Sequence, residues 1–257
     1  MIGLSMTAFR GKWPGDFEEW LSGVEGLGFE FVELVSEWPH YLTPETKALF
    51  EDALGSHNLK LTVHAPFSDL NIASFNESIR SASLGILRET LSLASELGAM
   101  VVTIHPGHCS PLSRRYSEEY LTIHRRSFET IAEWSEEFGV KVGVENMPSF
   151  PILDAQTCLR LAELLDGIDL GVTFDVGHLN TTTRDFRGFL RTFGDRIVHL
   201  HLHDNHGDRD EHLPPGDGTV PWGELLPLLP EAPIALEVTD LPSAGRGLAF
   251  LRRSMKL

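Results

Sequence analysis

Eight short apolar runs recur from one end of the chain to the other, and an amphipathic stretch follows each of them. The runs are Ile2–Met6, Phe29–Leu34, Lys60–His64, Met100–His105, Val140–Glu145, Leu170–Asp175, Ile197–His203 and Pro233–Glu237. They are rich in Val, Ile and Leu and mostly continuous rather than alternating, as strands buried on both faces of a parallel sheet read. Between them lie helical patterns. Ser74 reads as an N-cap with Glu77 three residues on; Ile79, Ala82, Ile86, Leu93, Ala94 and Leu97 follow at helical spacing, and Gly98 ends the run. A second long helix carries Leu121, Phe128, Ile131 and Phe138 and stops at Gly139. Weaker patterns fit Phe17–Gly26, Thr43–Leu54, Ala155–Leu165, Phe186–Phe193, Trp222–Leu229 and Ala244–Arg252. Eight β–α repeats without a break in composition predict a single closed α/β barrel, (β/α)8, over residues 1–257. Such a barrel takes about 250 residues. An open doubly wound sheet is the alternative, but no Gly-rich phosphate loop follows the first strand.

The ends of the runs carry the chemistry. Val63-His64, Ile104-His105, Val144-Glu145, Phe174-Asp175 and Leu236-Glu237 each finish on a metal-competent side chain, and the seventh run alternates His199, His201 and His203 with aliphatic residues. A lone His or carboxylate at a strand end is usually a hydrogen-bonded structural residue. Six such ends are another matter, because a barrel gathers its C-terminal strand ends at one mouth, where active sites sit. Carboxylates and imidazoles crowded together there are accommodated by bound cations. Loop pairs extend the set: Asp175-Val176-Gly177-His178, and Asp210-Glu211-His212 just ahead of Pro215-Gly216-Asp217-Gly218.

Charge narrows the partners. With 21 Lys+Arg against 37 Asp+Glu the net charge is −16. A basic footprint is the usual mark of a protein that grips a phosphate backbone, so nucleic acid is disfavoured. No apolar run approaches the roughly 18 residues of a membrane span. The N-terminus lacks the basic and apolar regions of a secretion signal. Two cysteines, Cys109 and Cys158, make no disulfide framework. A reduced, cytoplasmic setting is the expectation, with Cys109 a free thiol. The sequence carries no reading of oligomeric state.

Taken together, Val63-His64-Ala65-Pro66-Phe67, His105-Pro106-Gly107, Glu145-Asn146-Met147-Pro148, Phe174-Asp175-Val176-Gly177-His178, His201-Leu202-His203-Asp204-Asn205, Asp210-Glu211-His212 and Gly216-Asp217-Gly218 resemble the xylose isomerase-like TIM barrels. Within them the likeness is to endonuclease IV and to relatives called sugar phosphate isomerases/epimerases, and it runs from about Lys60 to Glu237. The resemblance implies up to three divalent ions, zinc, manganese or magnesium. His64, His105 and Glu145 would hold one. Glu145, Asp175, His201 and Glu237 would hold a second, and His178, Asp210 and His212 a third. The sugar enzymes usually keep only the second set.

Two activities follow. The preferred one is an isomerase or epimerase acting on a small sugar, hydroxy-ketone or sugar phosphate. In it Glu145 and Glu237 would exchange a proton, His178 would assist, and Glu33, Phe67 and His203 would meet the substrate. The other is an endonuclease IV-type phosphodiesterase cutting at abasic sites. Against it, Phe67-Ser68-Asp69 stands where that enzyme carries an apolar wedge for unstacking DNA, and Arg114-Arg115 is nearly alone as a basic cluster near the mouth. A silent binding protein is the third and weakest reading. His199 is expected lower in the barrel than His201, and Trp13, Trp38 and Trp222 are candidates for an apolar sugar-binding wall.

Overall fold

In a computed structural model describing residues 1–256, eight parallel strands close in sequence order, β1 pairing with β2 and, at the seam, with β8. They are β1 (Ile2–Ser5), β2 (Phe31–Val35), β3 (Lys60–His64), β4 (Val101–Ile104), β5 (Lys141–Glu145), β6 (Gly171–Asp175), β7 (Ile197–Leu202) and β8 (Ile234–Leu236). All eight lie within two residues of the predicted runs. The helices are α1 (Phe17–Leu27), α2 (Pro44–Gly55), α3 (Glu77–Glu96), α4 (Pro111–Arg115), α5 (Ser117–Phe138), α6 (Cys158–Leu164), α7 (Val176–Asn180), α8 (Phe186–Phe193), α9 (Trp222–Leu225) and α10 (Leu241–Met255). Among the described residues no helix is long and apolar enough to cross a membrane.

Several local expectations change. Asn76, not Ser74, caps α3: its side chain accepts from the Ser78 and Ile79 amides, while the Ser74 hydroxyl accepts from the Asn76 amide. An Asx cap next to the helix outcompetes a Ser cap two residues further out. Likewise α6 starts three residues after the predicted Ala155, because Thr157 caps it and Ala155 sits at φ 54°. The short α4 and α7 carry no periodicity of their own and were not foreseen.

The barrel interior is polar where the site begins. Thr62, Thr103, Thr173, Glu33 and His199 are fully buried there. The Thr103 and Thr173 hydroxyls are 2.9 Å apart, and Thr103 Oγ1 lies 3.2 Å from His199 Nδ1. Below this layer the Phe31 ring fills the space that a side chain on Gly3 would need. A register shift between Val172 and Thr173 aligns Asp175 with His201 across the β6–β7 pair. Without that slip the two donors would not sit side by side at the mouth.

Candidate active site

The mouth gathers every predicted donor. Four groups of side chains each offer nitrogen or oxygen atoms within 4.8 Å of one another: His64, His105 and Glu145; Glu145, Asp175, His201 and Glu237; His178, His203, Asp210 and His212; and, deeper, Glu33, His199 and His201. Glu145 joins the first two. Its Oε2 lies 3.3 Å from His64 Nε2 and 2.9 Å from His105 Nε2, and its Oε1 lies 2.8 Å from His201 Nδ1. Glu237, just past β8, approaches His201 at 3.7 Å and His212 at 3.8 Å. Asp210 and His212 come from the loop after β7 and fold back over it; Asp210 Oδ2 lies 3.3 Å from His178 Nε2 and 3.1 Å from His212 Nε2.

The imidazoles are aimed from behind. His64 Nδ1–H donates to the Ala65 carbonyl at 2.9 Å, and His178 Nδ1–H donates to the Asn146 carbonyl at 2.9 Å. His201 Nε2–H donates to Glu33 at 3.0 Å. In each ring the remote nitrogen is anchored and the other faces the carboxylates. That is how metal-binding histidines are oriented, with the outer N–H fixed by a carbonyl or carboxylate. Asn146 clamps the next strand end as well, accepting from the Asp175 amide and donating to the Asp175 carbonyl at 2.9 Å each.

The donor set fits cations on a second ground. Glu145, Asp175 and Glu237 are buried, and no Lys or Arg lines the cavity above them. Buried side-chain atoms without a hydrogen-bond partner cluster here: Asp175 Oδ2, both ring nitrogens of His203, His212 Nδ1, Glu33 Oε1 and His199 Nε2. Native interiors rarely leave such atoms unpaired without a reason such as an ion. The titrations are correspondingly pulled apart. Burial alone would raise Glu33, but His201 and His199 bring it down to about 2. Burial raises Glu237, and the neighbouring carboxylates add to it beyond what His201 and His212 offset. Glu145 faces the same burial, but His201, His105 and His64 hold it well below the usual range.

Two expected substrate contacts lie behind the cavity wall in this structure. Glu33 and His203 are completely enclosed and do not line the cavity. Glu33 holds His201. The His203 ring lies in the space a Cβ on Gly177 would occupy, 3.1 Å from Asp175 Oδ1 though off the line of a hydrogen bond. Phe67 does face the cavity, its ring stacked on His105 at 4.5 Å. None of the three candidate tryptophans does: Trp13 packs on Phe50, Trp38 is 79% exposed, and Trp222 donates to Asp204 at 2.7 Å. Asn146-Met147-Pro148 stands out in the sequence only as part of the motif after Glu145, which assigns neither the clamp by Asn146 nor the lining by Phe150, Ile152 and Leu153. The cavity measures about 410 Å³, within the range of small-molecule sites.

Fold and donor set together define a (β/α)8 barrel with buried carboxylates and imidazoles gathered at its C-terminal mouth, where they could hold cations. The chain belongs to the xylose isomerase-like TIM barrel family, whose model matches residues 22–254. It is 35% identical over 265 aligned positions to an uncharacterised protein of Methanocaldococcus jannaschii, covering all of this chain and 89% of that one. Among solved structures it is similar to a D-tagatose 3-epimerase-like protein, with 31% identity, a TM-score of 0.89 and coverage of 99% of this chain and 97% of the other. It is also similar to a Thermus thermophilus protein soaked with zinc chloride, at 26% identity, a TM-score of 0.77 and coverage of 99% and 98%.

Proposed function

We propose that the chain is a divalent-metal-dependent sugar epimerase that inverts a carbon next to a ketone. The carrying observation is the buried group Glu145, Asp175, His201 and Glu237, all within 4.8 Å of one another beneath a sugar-sized cavity. The likeness to the D-tagatose 3-epimerase-like structure, at 31% identity over 99% of this chain, supports it. A fructoselysine 3-epimerase of Escherichia coli, 21% identical over 78% of this chain, is similar as well. Zinc, manganese or magnesium held by that group would neutralise the carboxylates and polarise a substrate carbonyl as a Lewis acid.

The residues do the rest. Glu145, the last residue of β5, and Glu237, just past β8, lie three strands apart in the ring and line the cavity. One takes the proton from the carbon beside the carbonyl; the C–H electron pair moves into the new C=C bond and the carbonyl pair onto its oxygen. The other carboxyl returns a proton to the opposite face, which inverts the centre with no net change in atoms. His178, fixed by the Asn146 carbonyl, hydrogen-bonds a substrate oxygen. Phe67 and the loop after β5 keep bulk water out.

The intact outer groups, His64 with His105 and His178 with Asp210 and His212, favour a second reading: a phosphodiesterase of the endonuclease IV type with up to three ions. The cavity's lack of Lys and Arg and the charge of −16 weigh against it. A paired assay on metal-loaded protein decides. Deuterium exchange from solvent into a ketose that survives in Asp210→Asn and His212→Ala but is lost in Glu237→Gln is the expected result. Efficient, salt-sensitive nicking of an abasic duplex, lost in Asp210→Asn and His212→Ala, overturns it.

A further inference from the structure

Barrels of this architecture commonly bind phosphate through the loops after the seventh and eighth strands and the N-terminus of a short extra helix. Here those donors are already taken. Asp204, fully buried after β7, accepts from the Asn205 amide at 2.9 Å, the Gly216 amide at 2.9 Å, the Val220 amide at 3.1 Å and Trp222 Nε1 at 2.7 Å. The last two lead directly into the short helix α9. After β8, Asp240 caps α10 and accepts from the Ser243 amide at 2.7 Å. Carboxylates of the chain therefore occupy the places a phosphate would take. Beyond an ion held at the mouth, the charged side chains lining the cavity are Glu145, Glu237 and Asp210; four of its imidazoles already meet those carboxylates, leaving His108 as the one lining imidazole outside them.

The opposite wall is apolar. The loop after β5 lines the cavity with Met147, Pro148, Phe150, Ile152 and Leu153. Phe150 and Ile152 are 54% and 44% exposed. Their loop is nevertheless held firmly. The Cys109 amide donates to the Ile152 carbonyl at 2.7 Å, the Ser149 amide to Thr181 Oγ1 at 3.0 Å, and the Met147 amide to the Ala155 carbonyl at 3.2 Å. Arg114 and Gln156 hold the Pro151 and Phe150 carbonyls. A fixed loop that keeps large apolar side chains half-exposed over a polar floor is a preformed surface for an apolar group.

From these two walls we infer that the substrate is an unphosphorylated keto sugar bearing an apolar substituent, the sugar over Glu145 and Glu237 and the substituent against Phe150 and Ile152. This rests on the epimerase reading. The test uses the metal-loaded full chain and three probes: D-fructose, its 6-phosphate and its 6-O-benzyl ether. Solvent deuterium exchange gives kcat and KM for each, and calorimetry on Glu237→Gln gives binding without turnover. The expected kcat/KM for the benzyl ether exceeds that for fructose by at least about tenfold, through KM, as burial of an aromatic ring requires. The phosphate falls below fructose. In Phe150→Ala/Ile152→Ala, with its melting curve checked, the advantage of the benzyl ether over fructose measured on the same variant shrinks to about threefold or less in KM. Exchange into none of the three sinks the epimerase reading. Exchange into fructose with the phosphate as good as the benzyl ether, or a benzyl ether bound by Glu237→Gln no tighter than fructose, overturns the inference alone.

Discussion

Two of the places where this barrel buries carboxylates finish the job differently. Asp154, in the loop after β5, meets Arg160 through two parallel bonds of 2.8 and 2.9 Å, accepts from the Tyr120 hydroxyl at 2.9 Å and from the Ala155 amide at 2.8 Å. A full positive charge and a complete set of donors surround it. At the mouth, Glu145 and Glu237 meet only imidazoles, Asp175 adds just the His178 amide on Oδ1, and Asp175 Oδ2 has no hydrogen-bond partner. The first cluster is closed and holds a loop to α5 and α6. The second is left open, which is costly in a folded chain and makes sense where something else completes it.

The largest effect expected from breaking this contrast lies at the open end. Glu145→Gln and Glu237→Gln preserve shape but remove a charge and a proton acceptor. Each should lower turnover by at least about a hundredfold, with far-ultraviolet circular dichroism and the melting transition showing an intact fold. Either variant keeping more than about a tenth of wild-type turnover removes that residue from the proton transfer.

The closed end should answer in stability instead. Asp154→Ala leaves the half-buried Arg160 with Glu163 alone and takes the acceptor from Tyr120, and should cost about 3 kcal/mol, a loss of roughly 6–12 °C in Tm for a chain of this size. The pH dependence has a definite sign. Burial would raise the Asp154 carboxyl, but the His124 imidazole 3.6 Å away and the paired Arg160 guanidinium hold it far below the usual range. A depressed folded pKa gives stability that is fully present above the unfolded value of about 3.9 and is lost as pH falls below it. The stability gap between wild type and Asp154→Ala should therefore be constant from pH 7 to 5 and narrow toward pH 3 in urea titrations. A gap that stays constant to pH 3 breaks the assignment.

Metal removal separates the two clusters directly. An ion bound only by the folded chain at a hundredfold excess over its Kd contributes about 2.7 kcal/mol. Chelation at neutral pH should therefore lower Tm by several degrees, equally in wild type and in Asp154→Ala, since the clusters share no residue. An unchanged melting curve in protein verified metal-free by mass spectrometry rules out a cation at the mouth.

Sequence reasoning reached the open cluster far more readily than the closed one, for a physical reason. Strand-end residues in a barrel converge whatever the loops do, so His64, His105, Glu145, Asp175, His201 and Glu237 could be placed from the apolar runs alone. Depth is harder to read. Glu33 and His203 alternate correctly to face inward, but whether an inward residue meets the cavity or lies behind another side chain depends on barrel tilt and on Gly177, which lets the His203 ring in. The Asp154 cluster was invisible: Asp154, Arg160 and Tyr120 lie on a loop and two helices with no shared spacing. The role of Asp204 was equally hidden, because three of its four donors are backbone amides, which carry no residue signature.

Glu33 gives the finest test of the contrast, since it lies between the two kinds of carboxylate. It is as buried as Asp154, yet its work is directed at the mouth. Its Oε2 accepts from His201 Nε2 at 3.0 Å and stands 3.5 Å from His199 Nδ1. That bond selects the His201 tautomer whose Nδ1 lone pair points toward Glu145, Asp175 and Glu237. In Glu33→Gln the amide oxygen still accepts this bond, so the fold and tautomer persist, but the charge that makes His201 a stronger donor is gone. Metal affinity, measured by competition with a chromophoric chelator, should drop by roughly 10–100-fold, while Tm at saturating metal changes little. Glu33→Leu should lower affinity further, because the ring then loses its anchor altogether. If both variants hold metal as tightly as wild type and lose only stability, Glu33 is a closed structural carboxylate like Asp154, and His201 is oriented by packing between β6 and β8.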